Sequence, residues 1–169
     1  TDGESYTLTA DVSDAAGNAA TQVTSSAFTV DTSAPTVNSF TMSDTALKIG
    51  DTSTVTIVFS EVVTGFSSDA DVTVQNGSLA TMTSSDNITW TGTFTPSSDV
   101  EDATNVMSLA TSYTDTAGNA GPSATTDNYA IDTIRPTVAA FTMSDTALIS
   151  AETATCLLYT SDAADESVC

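Results

Sequence analysis

Ile88-Thr89-Trp90-Thr91-Gly92-Thr93-Phe94-Thr95 alternates without a break: Ile88, Trp90, Gly92 and Phe94 share one parity, and four threonines share the other. A period of two places one set on the buried face of a β-strand and the other toward water. Threonine, β-branched and water-compatible, suits the outer face. Working outward, Val55, Ile57 and Phe59 repeat the pattern over 54–60, and Phe40 and Met42 over 36–43. On the other side, Met107, Leu109 and Tyr113 mark a strand, and Tyr129 and Ile131 mark a last one. Shorter strands are expected near 71–74 and over 78–83, joined by a hairpin at Asn76-Gly77. Residues 44–52 and the acidic stretch 97–104 read as connections.

This makes seven short strands and no credible helix, the pattern of an all-β, antiparallel, immunoglobulin-like sandwich. Trp90 shares the inward parity of Ile88 and Phe94, which reads as core packing rather than as an exposed platform for a sugar.

The unit recurs. Phe40-Thr41-Met42-Ser43-Asp44-Thr45-Ala46-Leu47 returns unchanged as Phe141 to Leu148, an offset of 141 − 40 = 101 residues. Asp14-Ala15-Ala16-Gly17-Asn18 returns as Asp115-Thr116-Ala117-Gly118-Asn119, and Asp31-Thr32-Ser33-Ala34-Pro35 as Asp132-Thr133-Ile134-Arg135-Pro136, both with the same offset. A fixed period of this size is the signature of a tandem array. Residues 1–31 are then expected to be the last two strands of a preceding repeat, 32–132 a complete repeat, and 133–155 the beginning of a third. From residue 156 the repeat stops matching. Cys156-Leu157-Leu158-Tyr159-Thr160-Ser161-Asp162-Ala163-Ala164-Asp165-Glu166 is the translation of a common transposon-type sequencing adapter, so 156–169 is expected to be a non-native read-through tail. Both cysteines, Cys156 and Cys169, lie inside it, which removes disulfide and thiol chemistry from the argument.

Charge is one-sided, with 22 acidic residues against 2 basic ones and a net charge of −20. Such a field repels nucleic acid and anionic membrane surfaces and attracts cations. No apolar run is long enough for membrane insertion. With no histidine and no native cysteine, neither a zinc site nor a nucleophile–base pair is expected, and the chain does not read as an enzyme.

In a seven-strand sandwich the linker enters at one pole, beside the connections that follow the second, fourth and sixth strands, those of 54–60, 78–83 and Met107 to Tyr113. This gathers Asp31, Glu61, Asp69, Asp71, Asp86 and Asp115 at the entry pole. Asp44, Asp51, Asp99, Glu101 and Asp102 fall at the exit pole. Crowded carboxylates either spread into water or take up a cation. Calcium, which accepts six to eight hard oxygen ligands, suits the second case. The candidate ligands are Asp31, Glu61, Asp69, Asp71 and Asp115, with Asp132 as the next linker's copy of Asp31. Neither an EF-hand loop nor the glycine-rich calcium nonapeptide is present.

Val30-Asp31-Thr32-Ser33-Ala34-Pro35-Thr36-Val37, the step Phe59-Ser60-Glu61 and the turn Asp115 to Asn119 together resemble bacterial immunoglobulin-like repeats of large secreted surface adhesins, including the repeats-in-toxin type. The resemblance covers residues 1–155. It implies an extracellular stalk domain whose partners are the neighbouring repeats of its own chain, with calcium at the junctions bound by Asp31, Glu61, Asp115 and Asp132. Arg135 departs from Ala34 of the earlier linker and brings a cation to the second junction. Each unit would add about 35–45 Å, from strands rising ~3.4 Å per residue plus loops. The alternative is a ligand- or carbohydrate-binding sandwich module of an adhesin or secreted hydrolase.

Overall fold

A computed structural model describes residues 2–160. The first fragment is an interrupted hairpin. Its β1 (Ser5–Tyr6) pairs with β4 (Phe28–Thr29), and β2 (Thr9–Ala10) pairs with β3 (Val23–Thr24).

The repeat that follows is a two-layer β-sandwich. One layer contains β5 (Val37–Met42), β7 (Ser53–Phe59), β10 (Gly77–Leu79) and β11 (Thr89–Pro96), in the order β10-β11-β7-β5. Register is set by parity. Trp90 lies opposite Ile57 and Gly92 opposite Val55 on the inner face, while Thr91 lies opposite Thr56 and Thr93 opposite Thr54 on the outer face.

The second layer is built on one long, interrupted hairpin. Its first arm comprises β12 (Glu101–Asn105), β13 (Ser108–Leu109) and β14 (Thr114–Asp115), and its second arm β15 (Ala124–Thr125) and β16 (Tyr129–Asp132). Short segments complete this layer: β6 (Ala46–Lys48) lies parallel to β16, β9 (Val72–Thr73) pairs with β13, and β8 (Val63–Thr64) with β14. Between the layers Val55, Ile57, Phe59 and Phe94 meet Leu109, Tyr113, Tyr129 and Ile131, all buried. Aromatic rings pack edge-on or tilted, with Phe59 4.9 Å from Tyr113 and Phe94 5.4 Å from Tyr129. Trp90 is half-buried, 4.8 Å from Phe66, and its indole N–H has no acceptor among the described residues.

Several expectations need correction. The sheets hold more segments than seven strands. The expected connection 44–52 contains β6, because Asp44 turns the chain by accepting the Ala46 N–H while Ser53 Oγ accepts the Asp44 N–H. This carries the chain from the first layer to the edge of the second. The acidic stretch 97–104 is a connection only up to Val100, since β12 begins at Glu101. Its polarity misleads because β12 buries only Asn105. A single helical turn, α1 (Ser68–Asp71), occupies the start of the expected third strand, too short for any helical period to show. Asn76-Gly77 is not a hairpin. It is the crossover from β9 in one layer to β10 in the other. The left-handed backbone such a pair signals is present, with Asn76 at φ 52°.

After the repeat, β17 (Val138–Met143) pairs with β18 (Cys156–Thr160). Their register is that of β5 with β7 displaced by 101, Met143 meeting Cys156 as Met42 meets Val55. The remainder of the suspected adapter segment, 161–166, and Cys169 lie outside the described residues.

The two flanking fragments expose the faces that the complete repeat buries. Leu8 is 66% exposed and its counterpart Leu109 2%, while Phe141 is 65% exposed and Phe40 6%. Phe40 and Phe141 occupy the same register in their strand pairs, so what separates them is whether an opposing layer covers the ring.

Candidate functional site

The entry pole is assembled from three chain segments. The linker is tied to the end of β7 by reciprocal bonds: Thr36 N donates to Ser60 Oγ (2.8 Å) and Ser60 N to Thr36 O (2.9 Å). Pro35 is buried at this junction. That pairing brings Asp31, four residues before the buried proline, toward Glu61, the residue after Ser60.

The third segment is the turn after β14. Asp115 is buried, and its Oδ1 accepts the N–H groups of Ala117 and Asn119, both at 2.8 Å. Its Oδ2 accepts Asn119 Nδ2 at 2.7 Å. Gly118 sits at φ 97°, in the region that favours glycine. The same turn is present at Asp14, whose oxygens accept Ala16 N, Asn18 N and Asn18 Nδ2. It is therefore a local structure specified by its own residues, an aspartate folding the backbone onto its side chain.

Among the described residues, one group of three carboxylates lies close enough to share a cation: Asp31, Glu61 and Asp115 offer oxygens within 4.8 Å of one another. Burial first, then the charges of Asp115, Asp31 and Asp2, hold the Glu61 carboxyl above the ordinary glutamate range. Asp115 goes the other way, because the Asn119 side-chain amide outweighs its burial and holds it low. The two neighbouring carboxyls are thus shifted in opposite directions, Glu61 by burial and adjacent negative charge and Asp115 by the hydrogen bonds of its own turn.

The signs for stability are opposite too. Glu61 holds its proton more tightly when folded, so it works against folding increasingly as pH rises through the glutamate range. Asp115 contributes stability above the ordinary aspartate value, lost as pH falls. We expect the Glu61 carboxyl, followed by side-chain carbon NMR, to titrate above a free glutamate and to shift down in Asp31→Asn. An unchanged midpoint would show that Asp31 does not act on it.

The linker is gripped from both sides. Asn119 Nδ2 reaches the carbonyls of Asp31 (3.3 Å) and Ser33 (3.2 Å) from the repeat that follows. From the fragment that precedes, Asp2 accepts Thr32 N and Ser33 Oγ, both at 2.6 Å. These bonds, that of the Ser33 hydroxyl foremost, hold the Asp2 carboxyl low. Neither Asn119 nor Asp2 was among the residues expected from sequence. Asn119 was legible in principle, since an aspartate and an asparagine four apart around a glycine close on each other. Asp2 carries no such signal.

Of the other candidates, Asp69 takes the Thr81 hydroxyl, at 3.1 Å from both of its oxygens. Buried Asp71 accepts Ser67 N and is bonded to Ser112 Oγ. α1 thus turns both acids toward other partners. Asp86 caps its own turn through Ile88 N and Thr89 N. Asp132 lies at the far end of β16, between Glu101 and Lys48 in the sheet, and repeats the Asp31 turn by accepting Ile134 N.

Hard oxygen donors from separate segments, with no nitrogen or sulfur ligand beside them, fit calcium in kind. Asp115 keeps capacity for a cation at Oδ2, which accepts one bond and has a second lone pair, whereas Oδ1 already accepts two.

No helix among the described residues is long and apolar enough to cross a membrane. Searches of curated proteins and of solved structures gave no match. The family model described as bacterial Ig-like domain matches residues 31–131, from the linker aspartate to Ile131 in the last core strand. The chain belongs to the bacterial Ig-like domain family.

Proposed function

We propose that this chain is a segment of the extracellular stalk of a bacterial surface adhesin, of the repeats-in-toxin type, in which successive Ig-like units are held in line by calcium at their junctions. The unit works as a non-catalytic spacer, and its partners are the neighbouring repeats. The observation that carries this reading is the convergence of Asp31, Glu61 and Asp115 on a linker already held by Asp2 and Asn119. A cation there would tie together linker, strand end and turn, and would relieve the repulsion felt by Glu61. Residues 1–31 and 133–155 are read as parts of adjoining units, supported by the uncovered apolar faces that the complete repeat buries. The break in the repeat at residue 156 supports reading the tail as a translated adapter.

The test is thermal unfolding of this chain in calcium and in chelator at matched ionic strength. A ligand at 100 times its Kd stabilises the folded state by about 2.7 kcal/mol. For a unit of this size that raises Tm by on the order of 10 °C. Superimposable melting curves would remove calcium from the proposal and leave only the spacer.

A further inference from the structure

We propose that Asn76 is a site of spontaneous covalent modification, deamidating through a cyclic imide with Gly77, and that the change loosens the crossover between the two layers. Of the chain's asparagines only Asn76 precedes glycine. The fold imposes both residues. Asn76 occupies the left-handed region at φ 52°, which asparagine tolerates better than most side chains. Gly77 has no room for a side chain: a Cβ there would lie 2.3 Å from the Phe94 ring and 2.6 Å from Thr95 O. A reactive dipeptide is therefore the price of this crossover geometry.

The nucleophile is free of the sheet. Ser97 N donates to Asn76 O, and Ala80 N to Thr93 O, so the hydrogen-bonded positions of β10 against β11 are the even-numbered ones. Gly77 lies in the alternate class, opposite Pro96, which has no N–H to give. With β10 at the edge of its sheet, the Gly77 N–H faces away from β11. In the reaction this nitrogen attacks Cγ of Asn76. The new N–C bond forms as Cγ–Nδ2 breaks, and Nδ2 leaves as ammonia with the proton from Gly77. Water then opens the imide at either carbonyl, giving aspartate or isoaspartate.

The consequence follows from what the amide holds. Asn76 Nδ2 donates to Asp102 Oδ2 (2.9 Å) and to Oδ1 of Asn105 (2.7 Å), which is fully buried. Neither acceptor can bond to a carboxylate. Deamidation removes both bonds, strips buried Asn105 Oδ1 of this donor and sets a new negative charge beside Asp102. The same two bonds restrain the amide in the closed fold, so the reaction proceeds through opening of the three-residue edge strand β10.

The test is to hold the folded chain in mildly alkaline buffer and map its peptides by mass spectrometry with an isoaspartate-specific label. The expected result is the mass gain of an NH2-to-OH exchange at Asn76, with isoaspartate, ahead of every other asparagine. Asn76→Asp should lower Tm by at least about 4 °C. Asn76 intact while other asparagines react would overturn the assignment. An unchanged Tm in Asn76→Asp would overturn the loosening.

Discussion

Phe59→Ala is expected to remove about 3–5 kcal/mol of folding stability, the range for deleting a buried phenylalanine ring. Phe59 is 1% exposed, and its ring lies 4.9 Å from Tyr113 and 5.7 Å from Phe66. The cavity cannot close easily, because its walls come from different layers. Tyr113 is fixed through its hydroxyl to Pro122 O at 2.7 Å, and β7 is bonded on both sides, to β5 and β11. Against a total of about 5–15 kcal/mol for a domain, such a loss puts the unfolded state within reach at growth temperature. Tm should fall by on the order of 20 °C. The control is Thr56→Ala on the outer face of the same strand, expected to stay within about ±0.5 kcal/mol. Urea denaturation followed by circular dichroism reads both. A small effect at Phe59 would mean that the two layers are not packed around its ring. Because Ser60 and Glu61 follow directly, the variant should also loosen the carboxylate cluster.

What could be read from sequence follows from how locally each feature is encoded. The alternation in 88–95 and the buried positions of 54–60 are properties of single strands, and both stand where parity places them. The turn at Asp115 is equally local, which is why its copy at Asp14 closes in the same way. The meeting of Asp31, Glu61 and Asp115 required only the direction of strands around a sandwich. Asp69 and Asp71 depended on detail that parity does not carry. One helical turn between β8 and β9 redirects both, toward Thr81 and Ser112. The crossover at Asn76 shows the same limit. An asparagine–glycine pair reports a left-handed backbone, but only the packing of Phe94 against Gly77 shows which sheet the chain enters next. Asp2 is the extreme case, since its role comes from bonds to Thr32 and Ser33, some 30 residues along the chain, that no local pattern announces.

Gly121→Ala should cost about 3 kcal/mol as a single change, and much less when it is made in a chain where Tyr113 is already valine. Gly121 is buried, and a Cβ there would lie 2.0 Å from Tyr113 Cε2 and 2.3 Å from Cζ. The ring has no room to retreat, since Phe59 and Phe66 lie against it and its hydroxyl is bonded to Pro122 O. Backbone strain is not the cause, for Gly121 is not among the glycines with positive φ. The cost is overpacking alone, about 1–3 kcal/mol or more where neighbours are fixed. The copy of this turn 101 residues earlier carries both changes. Counting back 101 residues, Gly121 corresponds to Ala20 and Tyr113 to Val12. The backbone bond between them is retained, Gly121 N to Tyr113 O at 3.0 Å and Ala20 N to Val12 O at 2.8 Å. One copy of the turn thus pairs a large ring with glycine, and the other a small side chain with alanine. Tyr113→Val alone leaves a cavity that Gly121→Ala partly fills, so the double variant should be more stable than the two separate losses imply, by about 1–3 kcal/mol. Additive losses would mean that the two positions do not touch. Since Asp115 stands between them in the same turn, the single variant Gly121→Ala should also weaken any cation binding at the cluster, and the double variant should restore it.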